Sequence, residues 1–111
     1  VVDTAMAYIE AAIGGSVRLE QAAEVASVYP SRLTHLFSAE VGLPFRRYVL
    51  WARLRRAVEA VREGENLTQA AISAGFSDSA HLTRTFKETF GLPPSQALSQ
   101  MRIAGRLWSQ A

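Results

Sequence analysis

Apolar residues along this chain recur at three- and four-residue spacing, the period of a helix. Val2, Met6, Ile9 and Ile13 form one stripe, which predicts a helix over residues 2–13 that ends at Gly14-Gly15. Leu19, Ala22, Ala23 and Ala26 predict a second, short helix. Ser27 interrupts it, Val28 is apolar, and Pro30 suits the first position of a new helix, where no backbone N–H is needed. That helix carries Leu33, Leu36, Phe37 and Val41 on one face and stops at Gly42. A longer segment from Pro44 to Gly64 keeps helical spacing through Tyr48, Trp51 or Leu50, Leu54, Ala57, Val58 and Val61. Asn66 with Gln69 three residues on reads as a capping box. Gly75 closes the short helix it opens, and Ser77 or Asp78 caps the next, with Leu82, Phe86 and Phe90 inward and Gly91 at its end. Pro94 is expected to start a last helix running to about Leu107. The expectation is an all-α fold of about seven helices without strands.

Two stretches are copies of one unit. Leu19, Gln21, Ala22, Ala23 and Ala26 match Leu67, Gln69, Ala70, Ala71 and Ala74. After one inserted residue, Leu33, Thr34, Phe37, Gly42, Leu43 and Pro44 match Leu82, Thr83, Phe86, Gly91, Leu92 and Pro93. A single gap in a turn is what a repeated folding unit tolerates. Within each copy, two helices crossing steeply through a short turn need little bulk at the crossing and a residue that accepts positive φ. Ala23 with Ser27, and Ala71 with Gly75, stand four apart in those places, and Val28 or Phe76 follows as an anchor. This is the grammar of a helix-turn-helix. The expected organisation is one domain over 1–111: a first helix-turn-helix subdomain at about 2–43, a linker helix at about 44–63 and a second subdomain at about 66–108. About 20 residues at 1.5 Å each make the linker a rod near 30 Å, close to the roughly 34 Å of one DNA turn.

Charge sharpens this picture. The net charge is only +2, but it is uneven. Residues 1–45 set Arg18 and Arg32 against Asp3, Glu10, Glu20, Glu24 and Glu40, whereas 46–62 set Arg46, Arg47, Arg53, Arg55, Arg56 and Arg62 against Glu59 alone. A basic block suggests an anionic partner; a solvated helix face is the plainer alternative. All the cations but Lys87 are arginines, which suits bidentate contacts to phosphate or guanine. With no cysteine, disulfides and thiolate chemistry are excluded and a reducing compartment fits. No apolar run reaches the roughly 20 residues of a membrane span, no signal peptide is visible, and the start at Val1 suits a piece of a longer protein.

The residues "GFSDSAHLTRTFKETFGLPP" at 75–94 resemble the second helix-turn-helix signature of AraC/XylS-type transcriptional regulators, and "YVLWARLRRA" resembles that family's connecting helix. The likeness spans about residues 3–98. It implies a DNA-binding domain with two recognition helices in adjacent major-groove segments, and a second, sensing or dimerising domain elsewhere in the protein. The sequence departs from the pattern at three places. Ser95 to Leu98 replace an aromatic–basic pair, Arg18 stands where a Ser or Thr cap is usual, and Ser38-Ala39-Glu40 replace basic residues.

The polar stripe opposite the core makes Ser31, Arg32, Thr34 and His35 base-edge candidates on the first recognition helix, and Ser79, Ala80, Thr83 and Arg84 on the second. The resemblance implies base reading at the positions of Ser31, Thr34, His35, Ala80 and Arg84. Arg84 is the strongest of these, since arginine binds guanine O6 and N7 bidentately, whereas Ala80 offers only a methyl. Phosphate candidates are Arg46, Arg47, Arg53, His81 and Lys87. Arg53 could instead pair with Glu40 or Glu59, and His81 could cap or pack locally. The tempting cluster of Ser77, Asp78 and His81 is explained by a cap and a first helical turn, so no catalytic residue, metal or cofactor is expected. The expected partner is double-stranded DNA, with RNA polymerase as a further candidate, no membrane, a monomeric fragment, a full-length protein dimerising through another domain, and a cytoplasmic location. A helical protein-interaction module is the rival reading.

Overall fold

The computed structural model describes residues 1–97. Six helices follow one another: α1 (Val2–Ala12), α2 (Leu19–Val25), α3 (Pro30–Val41), α4 (Phe45–Arg62), α5 (Leu67–Ser73) and α6 (Ser79–Phe90). Residues 94–97 form a further helical turn. Beyond Ala97, the expected last helix to Leu107, with Trp108, lies outside the described residues.

Local chemistry explains where α3, α5 and α6 begin and where α3 and α6 end. Pro30 occupies the first turn of α3. Asn66 and Gln69 close a reciprocal capping box, Asn66 Oδ1 accepting from the Gln69 N–H at 2.8 Å and Gln69 Oε1 from the Asn66 N–H at 3.1 Å. Asp78, rather than Ser77, caps α6, its Oδ1 accepting from the His81 N–H at 2.7 Å. Both recognition helices stop at a left-handed glycine, Gly42 and Gly91.

The repeat is visible down to single hydrogen bonds. In the first turn Ser27 N–H donates to Glu24 O and Val28 N–H to Ala23 O; in the second Gly75 N–H donates to Ile72 O and Phe76 N–H to Ala71 O. Ser27 and Gly75 take positive φ, 59° and 86°. The position tolerant of positive φ is therefore the same in both copies, although only one holds glycine.

Two apolar cores flank α4. The first gathers Val2, Ala5, Ile9, Ile13, Ala22, Ala23, Leu33 and Phe37 against the N-terminal half of α4, through Phe45, Tyr48 and Ala52. Phe37 meets Phe45 and Tyr48 edge-on, at 5.5 and 5.2 Å between ring centres. The second gathers Ala71, Ala74, Phe76, Leu82 and Phe86 against Leu54 and Ala57, farther along the same helix. So the connecting helix is a packed member of both cores.

The sequence offered Trp51 or Leu50 for an inward position. Leu50 packs on the second core, while Trp51 is 42% exposed. Phe90 is a correction: expected on the inner face of α6, it is 46% exposed in the last turn, its ring 4.7 Å from Phe86. No helix among the described residues is long and apolar enough to cross a membrane.

Candidate nucleic-acid interface

Each recognition helix buries two side chains deeply and turns its polar face away from the core. In α3 the buried pair is Leu33 and Phe37, and Ser31, Arg32, Thr34, His35 and Ser38 are exposed. In α6 the buried pair is Leu82 and Phe86, and Ala80, His81, Arg84, Lys87 and Glu88 are exposed. Ser79 and Thr83 are half-buried at the flank. The repeat's second offset puts His35 and Arg84 at matching places, and Ser38 and Lys87 one turn farther on. The second helix thus shows two cations where the first shows an imidazole and a hydroxyl.

Two hydroxyl and imidazole groups already have local partners. Thr34 Oγ1 donates to Pro30 O one turn back, at 3.0 Å, leaving its methyl and lone pairs outward. His81 Nδ1 lies 3.2 Å from Ser77 Oγ, and its ring packs edge-on to Phe76 at 5.3 Å. The local packing that the sequence left open for His81 is present, and the side chain remains exposed.

The six arginines of the basic block of α4 divide into three sets: paired, unpaired, and Arg53 alone. Arg55 pairs with Glu10 of α1, lies 4.0 Å from Glu59, and stacks over Trp51 at 4.9 Å. Arg56 lies 4.0 Å from Glu59 and 3.8 Å from Glu63. These four pairs are largely exposed to solvent and contribute little stability, but they take charge from the block. Among the described residues, Arg46, Arg47 and Arg62 make no ion pair, and all three are exposed. On the α1 side of α4, burial and then Glu10 raise the Tyr48 phenol above its ordinary pKa, with Arg55 acting in the opposite direction.

Arg53, a phosphate candidate in the sequence, pairs with neither Glu40 nor Glu59 and directs its guanidinium to backbone carbonyls of the domain. Its Nη1 donates to Ile13 O and, at 3.2 Å, to Ala74 O; its Nη2 donates to Gly15 O at 3.1 Å. Burial lowers the pKa of this half-buried guanidinium from the usual arginine value. A side chain holding three backbone carbonyls inside the molecule is poorly placed to reach a partner outside it.

Two residues without a role in the sequence pattern are brought forward by the structure. Arg18, the residue before α2, lines an open cleft of about 490 Å³ together with Thr34 and Arg46. The first recognition helix and a free cation of α4 thereby share one concave surface with a further cation. Tyr29, immediately before α3, is 82% exposed and gives that helix no side-chain cap. The signal for Arg18 was its place where a Ser or Thr cap is usual; Tyr29 had none beyond being aromatic beside a proline.

A protein-family model described as a helix-turn-helix domain matches residues 22–100. The transcriptional activator RhrA of Rhizobium meliloti is 37% identical over 84 residues, covering 73% of this chain and 26% of RhrA. The bifunctional transcriptional activator/DNA repair enzyme Ada of Escherichia coli is 34% identical over 80 residues, covering 72% of this chain and 23% of Ada. This chain therefore spans about a quarter of the length of these relatives. Among solved structures, an AraC-type transcriptional regulator from Chromobacterium violaceum superposes with a TM-score of 0.81 at 25% identity, over 89% of both chains. The DNA-binding domain of AdpA, solved with a target DNA, shares the fold with a TM-score of 0.79 at 15% identity, over 93% of this chain and 94% of that one. Two matched helix-turn-helix units on one shared helix, the match to the family model and these relatives lead to one conclusion: the chain belongs to the AraC-type helix-turn-helix family, the DNA-binding domains of transcriptional regulators.

Proposed function

We propose that residues 1–111 act as one DNA-binding domain of a longer transcriptional regulator, reading double-stranded DNA with α3 and α6 in adjacent major-groove segments. The observation that carries this is the pair of equivalent recognition helices, each with an exposed polar face, joined by a helix of 18 residues that packs into both cores. At 1.5 Å per residue that helix is about 27 Å long, comparable to a DNA turn. Base reading is assigned to Ser31, Arg32, Thr34 and His35 on α3 and to Ala80 and Arg84 on α6, with Ser79 and Thr83 at the groove edge. Short side chains at several of these positions leave room for bridging water and DNA shape. Phosphate contacts fall to Arg46, Arg47 and Lys87, with His81 and the newly placed Arg18. A cytoplasmic location, RNA polymerase as a partner and dimerisation through a domain outside this chain belong to the same proposal. The DNA-repair activity in the name of Ada does not extend to this reading, which assigns no chemistry to the domain.

Selection of binding sites from random DNA tests it. The expected outcome is a site of about 20 base pairs with two preferred blocks one turn apart. Four cations on phosphates predict a fall in affinity of about 100-fold between 50 and 200 mM salt. A helical protein-interaction module would give no such dependence, and equal binding to selected and random DNA would reject the proposal.

A further inference from the structure

The two helix-turn-helix units touch each other sparingly, and the contact is organised around one side chain. Arg53 lies near the middle of α4, where the helix passes from the first core to the second. Its guanidinium reaches back to Ile13 O and Gly15 O, at the end of α1, and forward to Ala74 O, at the end of α5. Carbonyls at helix ends lack partners of their own and carry partial negative charge, so a cation satisfies them well. The fork of a guanidinium is planar and rigid, so donors aimed at three carbonyls fix direction as well as distance. The space is made for it: a Cβ on Gly75 would lie 1.7 Å from Arg53 Nη1 and 2.5 Å from Ile13 O. Nearby the two units meet backbone to backbone, a Cβ on Gly14 falling 3.0 Å from Ser73 O.

The geometry points to Arg53 as a positioning residue that sets the rotational phase between the two recognition helices, and with it the spacing of the two DNA blocks that the domain accepts. This rests on the reading that both motifs engage one duplex. One base pair added between the blocks turns the second by about 34° and moves it by about 3.4 Å. A fixed phase cannot follow that change, whereas a loosened one can.

Arg53→Met and Arg53→Lys test the assignment, the lysine keeping charge and length without the fork. On DNA, the unmodified chain is expected to lose about tenfold or more in affinity when one base pair is inserted or deleted between the blocks. The variants are expected to lose less than about threefold over the same change, with binding to a single isolated block unaltered. A spacing preference as sharp in the variants as in the unmodified chain would overturn the assignment. A second measurement needs no DNA. The chain has no cysteine, so spin labels can be attached at Ala39→Cys on α3 and Glu88→Cys on α6. The distance distribution between them should broaden in both Arg53 variants while circular dichroism shows the helices intact. An unchanged width in a folded variant overturns the assignment, and if the methionine variant does not fold, the lysine variant decides. Absence of any specific DNA binding would reject the proposed function alone, because the label distances still judge Arg53.

Discussion

Gly75→Ala and Gly91→Ala place the same methyl on almost the same backbone, φ 86° and 82°, in very different surroundings. At Gly91 nothing lies within 4 Å of the added Cβ. The cost there is the left-handed conformation alone, about 1 kcal/mol. At Gly75 that cost is joined by a steric one. The Cβ would sit 1.7 Å from Arg53 Nη1 and 2.5 Å from Ile13 O, and the second of these is backbone. The guanidinium must leave, and three carbonyls lose their donor. Each such hydrogen bond is worth about 1 kcal/mol or more, reduced here because water reaches part of the site. The expected loss for Gly75→Ala is about 3–4 kcal/mol, against about 1 for Gly91→Ala. Urea denaturation of both variants measures it, with the slope constant so that the midpoints compare directly. A double variant with Arg53→Met should cost less than the sum of its parts, because one clash has been removed. Equal destabilisation of the two alanine variants would refute the claim that Arg53 fills the space above Gly75.

Other outcomes follow from the same structure. Arg84→Ala should relax base preference at one position and cost about 1–3 kcal/mol on the preferred site, and site selection with the variant checks it. Arg46→Ala should weaken all sequences alike and flatten the salt slope by about one unit, read by titration at several ionic strengths. Ser27→Gly should stabilise the first unit by about 0.5–1 kcal/mol, since a serine now holds a left-handed position, and its denaturation midpoint should rise. Asp78→Ala removes the cap on the His81 N–H and should lower stability by about 1 kcal/mol by the same assay.

The sequence by itself determined the parts whose causes lie within a few residues. Helix periodicity, Pro30 at the start of α3, the Asn66–Gln69 box, the glycine stops and the matched turns at Ser27 and Gly75 depend on neighbours close along the chain, and all are present. The repeat then made the fold legible, because two copies of one unit constrain each other. The exposed faces of α3 and α6 were readable for the same reason: a helix buries one side, so the opposite side faces out.

Only the tertiary structure decided the fates of the arginines. Their charges sum to a basic block, but a sum does not say which cations have partners. Arg55 meets Glu10 from 45 residues away, and Arg53 meets carbonyls 40, 38 and 21 residues away. No local pattern announces a backbone carbonyl brought into reach by the packing of another helix. The same limit applies at Phe90, where helical spacing pointed inward but the core ended one turn earlier. Periodicity gives the direction of a side chain, and packing decides what is there to meet it.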